Sequence, residues 1–186
     1  LEERHKFLTD ELADVTKTRQ DLLQIIHDLD EKMQQIFKAA FDDTVREFTA
    51  ILPTLFPGGV GAMTLTDPND LLVSGIDVRV KPAGKQWLPM TLLSGGEQSL
   101  GAIAFLMAIF KSRPSPFYIM DEVEAALDDA NLTRLLHVFQ DLRTNSQLIL
   151  VTHQKRTMEI ADTVYGVIMD EGMSRIVGQR LEHNNA

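Results

Sequence analysis

No cysteine occurs in the 186-residue chain, so disulfides and thiolate metal sites are excluded and a reducing compartment is compatible. Long apolar runs are missing too, and neither a secretory signal nor a membrane span is expected. Proline and glycine are absent from residues 1 to 52, so nothing in that stretch interrupts a helix. Positive charge is in short supply. The formal net charge is -9, which does not favour electrostatic binding of nucleic acid by this chain alone, although a negative average can hide a basic patch. What is present suits a packed domain: 44% of residues are hydrophobic and 24% charged. The length fits one domain, or one domain with an appendage.

The stretch without breakers has a strong period. Leu8, Val15, Leu22, Leu29 and Ile36 recur every seven residues, and Leu12, Ile26, Met33 and Ala40 follow four later, with Arg19 the single break. This is an a/d heptad seam. A helix of that length runs to about 75 Å, more than the rest of the chain could cover. No second heptad segment occurs here, so the seam calls for a partner helix from outside. The alternative is a long amphipathic helix lying on its own domain.

Pro53, Pro57, Gly58, Gly59 and Gly61 are expected to end the helix. "AMTLTD" and "GIDVRVKP" read as short strands, with "PAGKQW" as a turn. Further on, Phe117 to Met120 is a short apolar run ending in Asp121 and Glu122. Residues from about Asn131 to Arg143 are amphipathic, and "LILVTH" is a second buried-type strand ending in Thr152 and His153. Strand, helix, strand at this spacing is a βαβ unit with a parallel sheet. Working residues of such sheets lie just past the carboxyl ends of the strands, where Asp121, Glu122 and His153 fall. A helix from about Lys155 to Ala161 and a strand from Val164 to Met169 are expected to continue the pattern.

"LLSGGEQSL", Leu92 to Leu100, opens a helix with two glycines, each of which costs about 1 kcal/mol against alanine inside a helix. Ser94 and Glu97 have capping-box spacing, which leaves the glycines unexplained. A helix N-terminus is also an anion site, and without Cβ atoms at Gly95 and Gly96 a phosphate could approach the backbone. An apolar strand ending in Asp-Glu suits Mg²⁺ and a polarised water beside a nucleotide. It could equally be the start of a loop that caps the next helix. His153 alone could be a local hydrogen-bonding residue. The order of these features carries more than any one of them.

"LSGGE", "YIMDEVEAALD" and "VTHQKRTME" together resemble the C-terminal half of an ABC-type ATPase head, and more narrowly the bacterial structural-maintenance-of-chromosomes (SMC) family. The resemblance reaches from the coiled-coil end to about Leu181. It implies an α/β fold, the C-terminal lobe of an ABC-type ATPase head built of parallel βαβ units and small strands (53–186), with a long coiled-coil helix before it (1–52). It also implies ATP and Mg²⁺ as cofactors and assigns roles by position. Leu93, Ser94, Gly95, Gly96 and Glu97 would form the signature motif, acting in trans on the nucleotide of a second head. Asp121 would take the magnesium side and Glu122 would be the catalytic carboxylate. Ala126, Leu127 and Asp128 would form the D-loop, and His153 would be the switch histidine facing the γ-phosphate. Gln98, often basic in the family, and Gly101, often threonine, depart from its pattern.

One family element is missing. A phosphate-binding G-x-x-x-x-G-K-[ST] loop does not occur: the only Gly-Lys is Gly84-Lys85, followed by Gln86, with Arg79 where the earlier glycine belongs. In SMC proteins that loop and the partner coil lie in the N-terminal part of the same polypeptide. The expectation is therefore a last segment, inactive alone, whose N-terminal head lobe lies elsewhere in its parent chain. A second SMC head, the kleisin subunit and, through the whole complex, DNA are the implied partners. The kleisin could contact Leu22 to Ile36 or the C-terminal strands. The implied function is ATP hydrolysis in chromosome condensation and segregation, in the cytoplasm on the nucleoid and with no membrane. A related coiled-coil DNA-repair ATPase and a non-catalytic scaffold of the same fold are the alternatives.

Overall fold

The computed structural model describes residues 1–181. Its chain divides into two compact units, Leu1–Asp43 with Met63–Asp77, and Thr44–Ala62 with the chain from Val78 onward. Helix α1 spans Glu2–Leu55. Along its first part the seam residues Leu8, Leu12, Val15, Leu22, Ile26, Leu29, Met33 and Ile36 are all more than half exposed. The heptad pattern therefore forms the expected helix, and its stripe faces no other described element.

In the second unit α1 enters a core. Phe48, Leu52 and Leu55 are fully buried. Pro53 sits inside the helix rather than ending it. A proline there forfeits one backbone bond, but Leu52 and Leu55 on either side are buried, and the Phe56 N–H still donates to the Leu52 carbonyl at 2.7 Å. Packing outweighs the lost donor for one more turn. Gly61 is needed here, because a Cβ would lie 2.6 Å from the Phe48 ring and 2.8 Å from Leu52.

Strands β1 (Val60–Leu65), β2 (Ile76–Lys81) and the two-residue β3 (Leu88–Pro89) form one sheet in that order. The 66–75 loop is closed by its own polar groups, with the Thr66 N–H donating to the Gly75 carbonyl at 3.0 Å and the Gly75 N–H to Thr66 Oγ1 at 2.8 Å. A 3-10 turn at Met90–Leu92 then leads into α2, Gly95–Ser112. At this junction a Cβ on Gly101 would sit 3.3 Å from the Met90 side chain, a tight contact.

Strand β4 (Phe117–Asp121), helix α3 (Asp129–Leu142) and strand β5 (Gln147–Val151) form the expected βαβ unit, with β4 and β5 parallel from Phe117↔Gln147 to Asp121↔Val151. Tyr118 and Met120 point into the core, which α2 and α3 supply with Leu100, Ala104, Met107, Leu135 and Phe139. Tyr118 stacks on Phe110 with centroids 4.1 Å apart, and its hydroxyl donates to the Phe110 carbonyl at 3.1 Å. The other face of β4 and β5 is apolar and open: Phe117, Ile119, Ile149 and Val151 are exposed. Parallel strands ordinarily have both faces covered.

Helix α4 covers Lys155–Glu159. Strand β6 (Thr163–Asp170) does not extend the parallel pattern, contrary to expectation. Among the described residues it pairs with β7 (Met173–Arg180), antiparallel, with Asp170 opposite Met173. The two residues between them, Glu171 and Gly172, both have positive φ, 49° and 80°. That is the two-residue turn whose twist suits a hairpin.

Candidate functional site

The β4–β5 register sets the first half of the site. Asp121 lies opposite Val151, so the residues just past each strand are brought side by side. The Glu122 N–H donates to the Val151 carbonyl at 2.9 Å, and the Ala125 N–H to the Glu122 carbonyl at 3.0 Å. Between these bonds Glu122 takes a φ of 45°, a conformation rare for a residue with a side chain. His153 Nδ1 lies 3.4 Å from Glu122 Oε1, and both side chains are more than half exposed. Asp121 is exposed beside them. The Asp121–Glu122–His153 cluster is thus assembled by backbone pairing, and its polar atoms face outward.

The turn continues through the proposed D-loop. The Leu127 N–H donates to the Glu124 carbonyl at 2.9 Å, and Asp128 is the N-cap of α3, accepting from the Asn131 N–H at 2.8 Å. The helix-capping role that Asp121 or Glu122 could have filled belongs to Asp128. Ala126 is exposed and Leu127 half-buried.

Glu124, two residues beyond Glu122, is buried at 3% exposure. Thr157 Oγ1 on α4 donates to its Oε1 at 3.1 Å, and Thr152 Oγ1 donates to the same oxygen. The Thr152 hydroxyl also accepts from the Gln154 N–H at 3.0 Å, so the residues on either side of His153 are tied to it.

At the entrance of α2, Ser94 and Glu97 form the reciprocal capping box. Glu97 Oε2 accepts from the Ser94 N–H at 3.2 Å and from the Ser94 hydroxyl at 2.8 Å. Lys85, in the turn after β2, donates to Glu97 Oε1 at 2.8 Å. The Lys85 ammonium foremost, then the Ser94 hydroxyl, holds the Glu97 carboxyl below its ordinary range. Leu93 is buried and anchors the turn. Gly95 and Gly96 are different in kind from Gly61 and Gly101: a Cβ on either would meet nothing within 4 Å. Among the described residues nothing requires glycine there.

Asp121, Glu122 and His153 are therefore brought together, while Leu93 to Glu97 stand apart. Among the described residues no side-chain hydrogen bond or ion pair joins the two groups. Two participants escaped the sequence reading. Lys85 figured only in a failed phosphate-loop match, and Glu124 was not singled out, since its partners Thr152 and Thr157 lie after the next strand. As to cofactors, no group of three His, Cys, Asp or Glu residues that could hold a metal occurs among the described residues. A single carboxylate such as Asp121 fits Mg²⁺ that keeps waters and nucleotide phosphates as its other ligands. The open backbone at Gly95 and Gly96 fits an approaching phosphate.

Residues 16–175 match the family model described as the RecF/RecN/SMC N terminal domain. The chain is 56% identical over 182 residues to the chromosome partition protein Smc of Mycobacterium leprae and 44% identical over 181 residues to that of Bacillus subtilis, covering 97% of this chain in both cases. It spans about 15% of the length of these curated relatives. Among solved structures it resembles the Smc head domain with an extended coiled coil from Pyrococcus furiosus, bound to the C-terminal domain of ScpA. That match has a TM-score of 0.77 and 33% identity, over 96% of this chain and 45% of the other. It also resembles an SMC ATPase studied for ATP-driven dimerization and DNA-stimulated activation, with a TM-score of 0.72 and 36% identity over 78% of this chain and 89% of that one. No described helix is long and apolar enough to cross a membrane. Family model, relatives and solved heads agree: the chain belongs to the SMC family and has the fold of its ATPase head.

Proposed function

We propose that this chain is the C-terminal half of the ATP-hydrolysing head of an SMC protein that condenses and segregates chromosomes. The observation that carries the reading is the outward-facing Glu122–His153 pair, 3.4 Å apart at the carboxyl ends of two parallel strands. Bound ATP and Mg²⁺ would supply the phosphoanhydride and the neutralising charge. Asp121 would contribute one carboxylate to the metal's shell. Glu122 would accept a hydrogen bond from water at its carboxylate and orient it, and His153 would sit beside it on the phosphate side. Leu93 to Glu97 would serve the nucleotide of a second head, with the N–H groups at Gly95 and Gly96 as donors. Ala126 to Asp128 would line the same junction.

The N-terminal lobe of the parent polypeptide would bring the phosphate loop and cover the open apolar face of β4 and β5. Its returning coil would cover the α1 seam, so that residues 1–52 are coiled coil and 53–186 the lobe. A kleisin subunit, of the kind that ScpA represents for the relatives, and DNA would be partners in the whole complex, on the nucleoid in the cytoplasm. The test is nucleotide titration and phosphate release. The chain alone should bind ATP weakly and turn none over, and adding the N-terminal lobe should restore both. Tight magnesium-dependent binding by the chain alone would contradict the proposal.

A further inference from the structure

We propose that Glu124 is a positioning residue, a buried latch that fixes Glu122 and His153 relative to each other. The inference rests on the reading of those two side chains given above. Among the described residues, the side-chain hydrogen bonds of Glu124 come from two hydroxyls, Thr152 and Thr157. An acid at 3% exposure is an expensive way to fill space. An apolar residue would pack there without desolvating a charge. What the carboxylate adds is a strong acceptor: hydrogen bonds to an ionised group are roughly twice as strong as neutral ones. Both bonds converge on Oε1, so one atom joins the turn after β4, the loop after β5 and helix α4.

The segments it joins are those that carry the reacting groups. Thr152 precedes His153 and also accepts from the Gln154 N–H, so the latch holds the His153 backbone from both sides. Along the turn after β4, Glu124 lies two residues from Glu122, whose φ of 45° persists only if its surroundings over-determine it. It also lies four residues before Asp128, which caps α3. The Leu127 N–H donates to the Glu124 carbonyl at 2.9 Å, so the 126–128 segment is tied to the same residue.

The test uses the full-length protein. ATP turnover is measured for Glu124→Ala, Glu124→Gln, Thr157→Val and Glu122→Gln, together with hydrogen–deuterium exchange in the absence of nucleotide. Glu124→Ala should lower kcat by about tenfold or more, with KM for ATP little changed. Exchange should rise together in 122–128 and 152–157 but not in the middle of α3. Glu124→Gln keeps an oxygen at the same place as a weaker, neutral acceptor and should recover part of kcat, more than alanine does. Thr157→Val, nearly isosteric, should lower kcat several-fold and serves if the alanine variant does not fold. Unchanged kcat in Glu124→Ala or Thr157→Val, a glutamine variant no better than alanine, or exchange rising in one segment only would overturn the latch. Full turnover in Glu122→Gln would overturn the underlying reading of the site and the latch with it. Turnover lost in Glu122→Gln but kept in Glu124→Ala would overturn the latch alone.

Discussion

At residues 94–97 the polar side chains bond to one another and leave two glycines facing open space, whereas at residues 121–128 and 152–157 Glu122 takes a positive φ and the buried Glu124 accepts from two hydroxyls of the second segment. The first arrangement is finished as a helix cap yet still exposes N–H groups that an outside anion could reach. The second brings the Glu122 and His153 side chains to 3.4 Å, with both more than half exposed. The difference teaches that an open site and a rigid site need different sequence devices: missing Cβ atoms in one, convergent hydrogen bonds in the other. It also fits a division of labour in which one region receives a phosphate brought by a partner and the other orients water.

The comparison breaks most visibly at Glu122. Replacing it with glutamine keeps the shape and removes the basic oxygen, so turnover by the assembled head should fall by about 10²–10⁴-fold while ATP still binds; phosphate release and calorimetry measure the two separately. At the open end, Ser94→Arg should leave nucleotide binding to each head intact and abolish the ATP-dependent joining of heads, which light scattering follows. Glycine replacements sharpen the contrast. Gly61→Ala forces a Cβ onto Phe48 and Leu52 and should lower unfolding stability by about 1–3 kcal/mol. Gly95→Ala should change it by less than about 0.5 kcal/mol, because the added carbon meets nothing within 4 Å. Denaturant titration of both variants decides this.

The smallest effect is at Lys85. Glu97 has its folded pKa lowered, foremost by Lys85. Its stabilising contribution is therefore present above the unfolded pKa and lost as pH falls through the folded one. Lys85→Gln should cost at most a few tenths of a kcal/mol at neutral pH, since the pair is solvent-screened, and the difference from the native chain should vanish on acidification. A pH series of unfolding midpoints is the check.

Much of this was legible. The heptad positions from Leu8 to Ile36 form one helix because nothing in residues 1–52 breaks it. Period and strand-end acids were enough to place β4, α3, β5, Asp121, Glu122 and His153. The failures have physical causes. Pro53 is a helix breaker in isolation, but burial of Leu52 and Leu55 carries α1 past it. Strand β6 has the composition of a sheet continuation, and only the Glu171–Gly172 turn reveals that it folds back on β7. Lys85 and Glu124 act across gaps of 12 and 33 residues to Glu97 and Thr157, and no local pattern announces a pairing of that range. Gly101, a departure from the family pattern, packs closely on Met90, which no spacing rule connects to it.

In the proposed mechanism the open helix entrance of one head serves the strand-end cluster of another. Sedimentation with ATP of heads assembled from this chain and the N-terminal lobe tests it most directly. Glu122→Gln heads should sediment as dimers, because the ATP-bound state can form but not resolve. Heads carrying both Glu122→Gln and Ser94→Arg should remain monomers. A single variant that stays monomeric, or a double variant that still dimerises, would contradict the account.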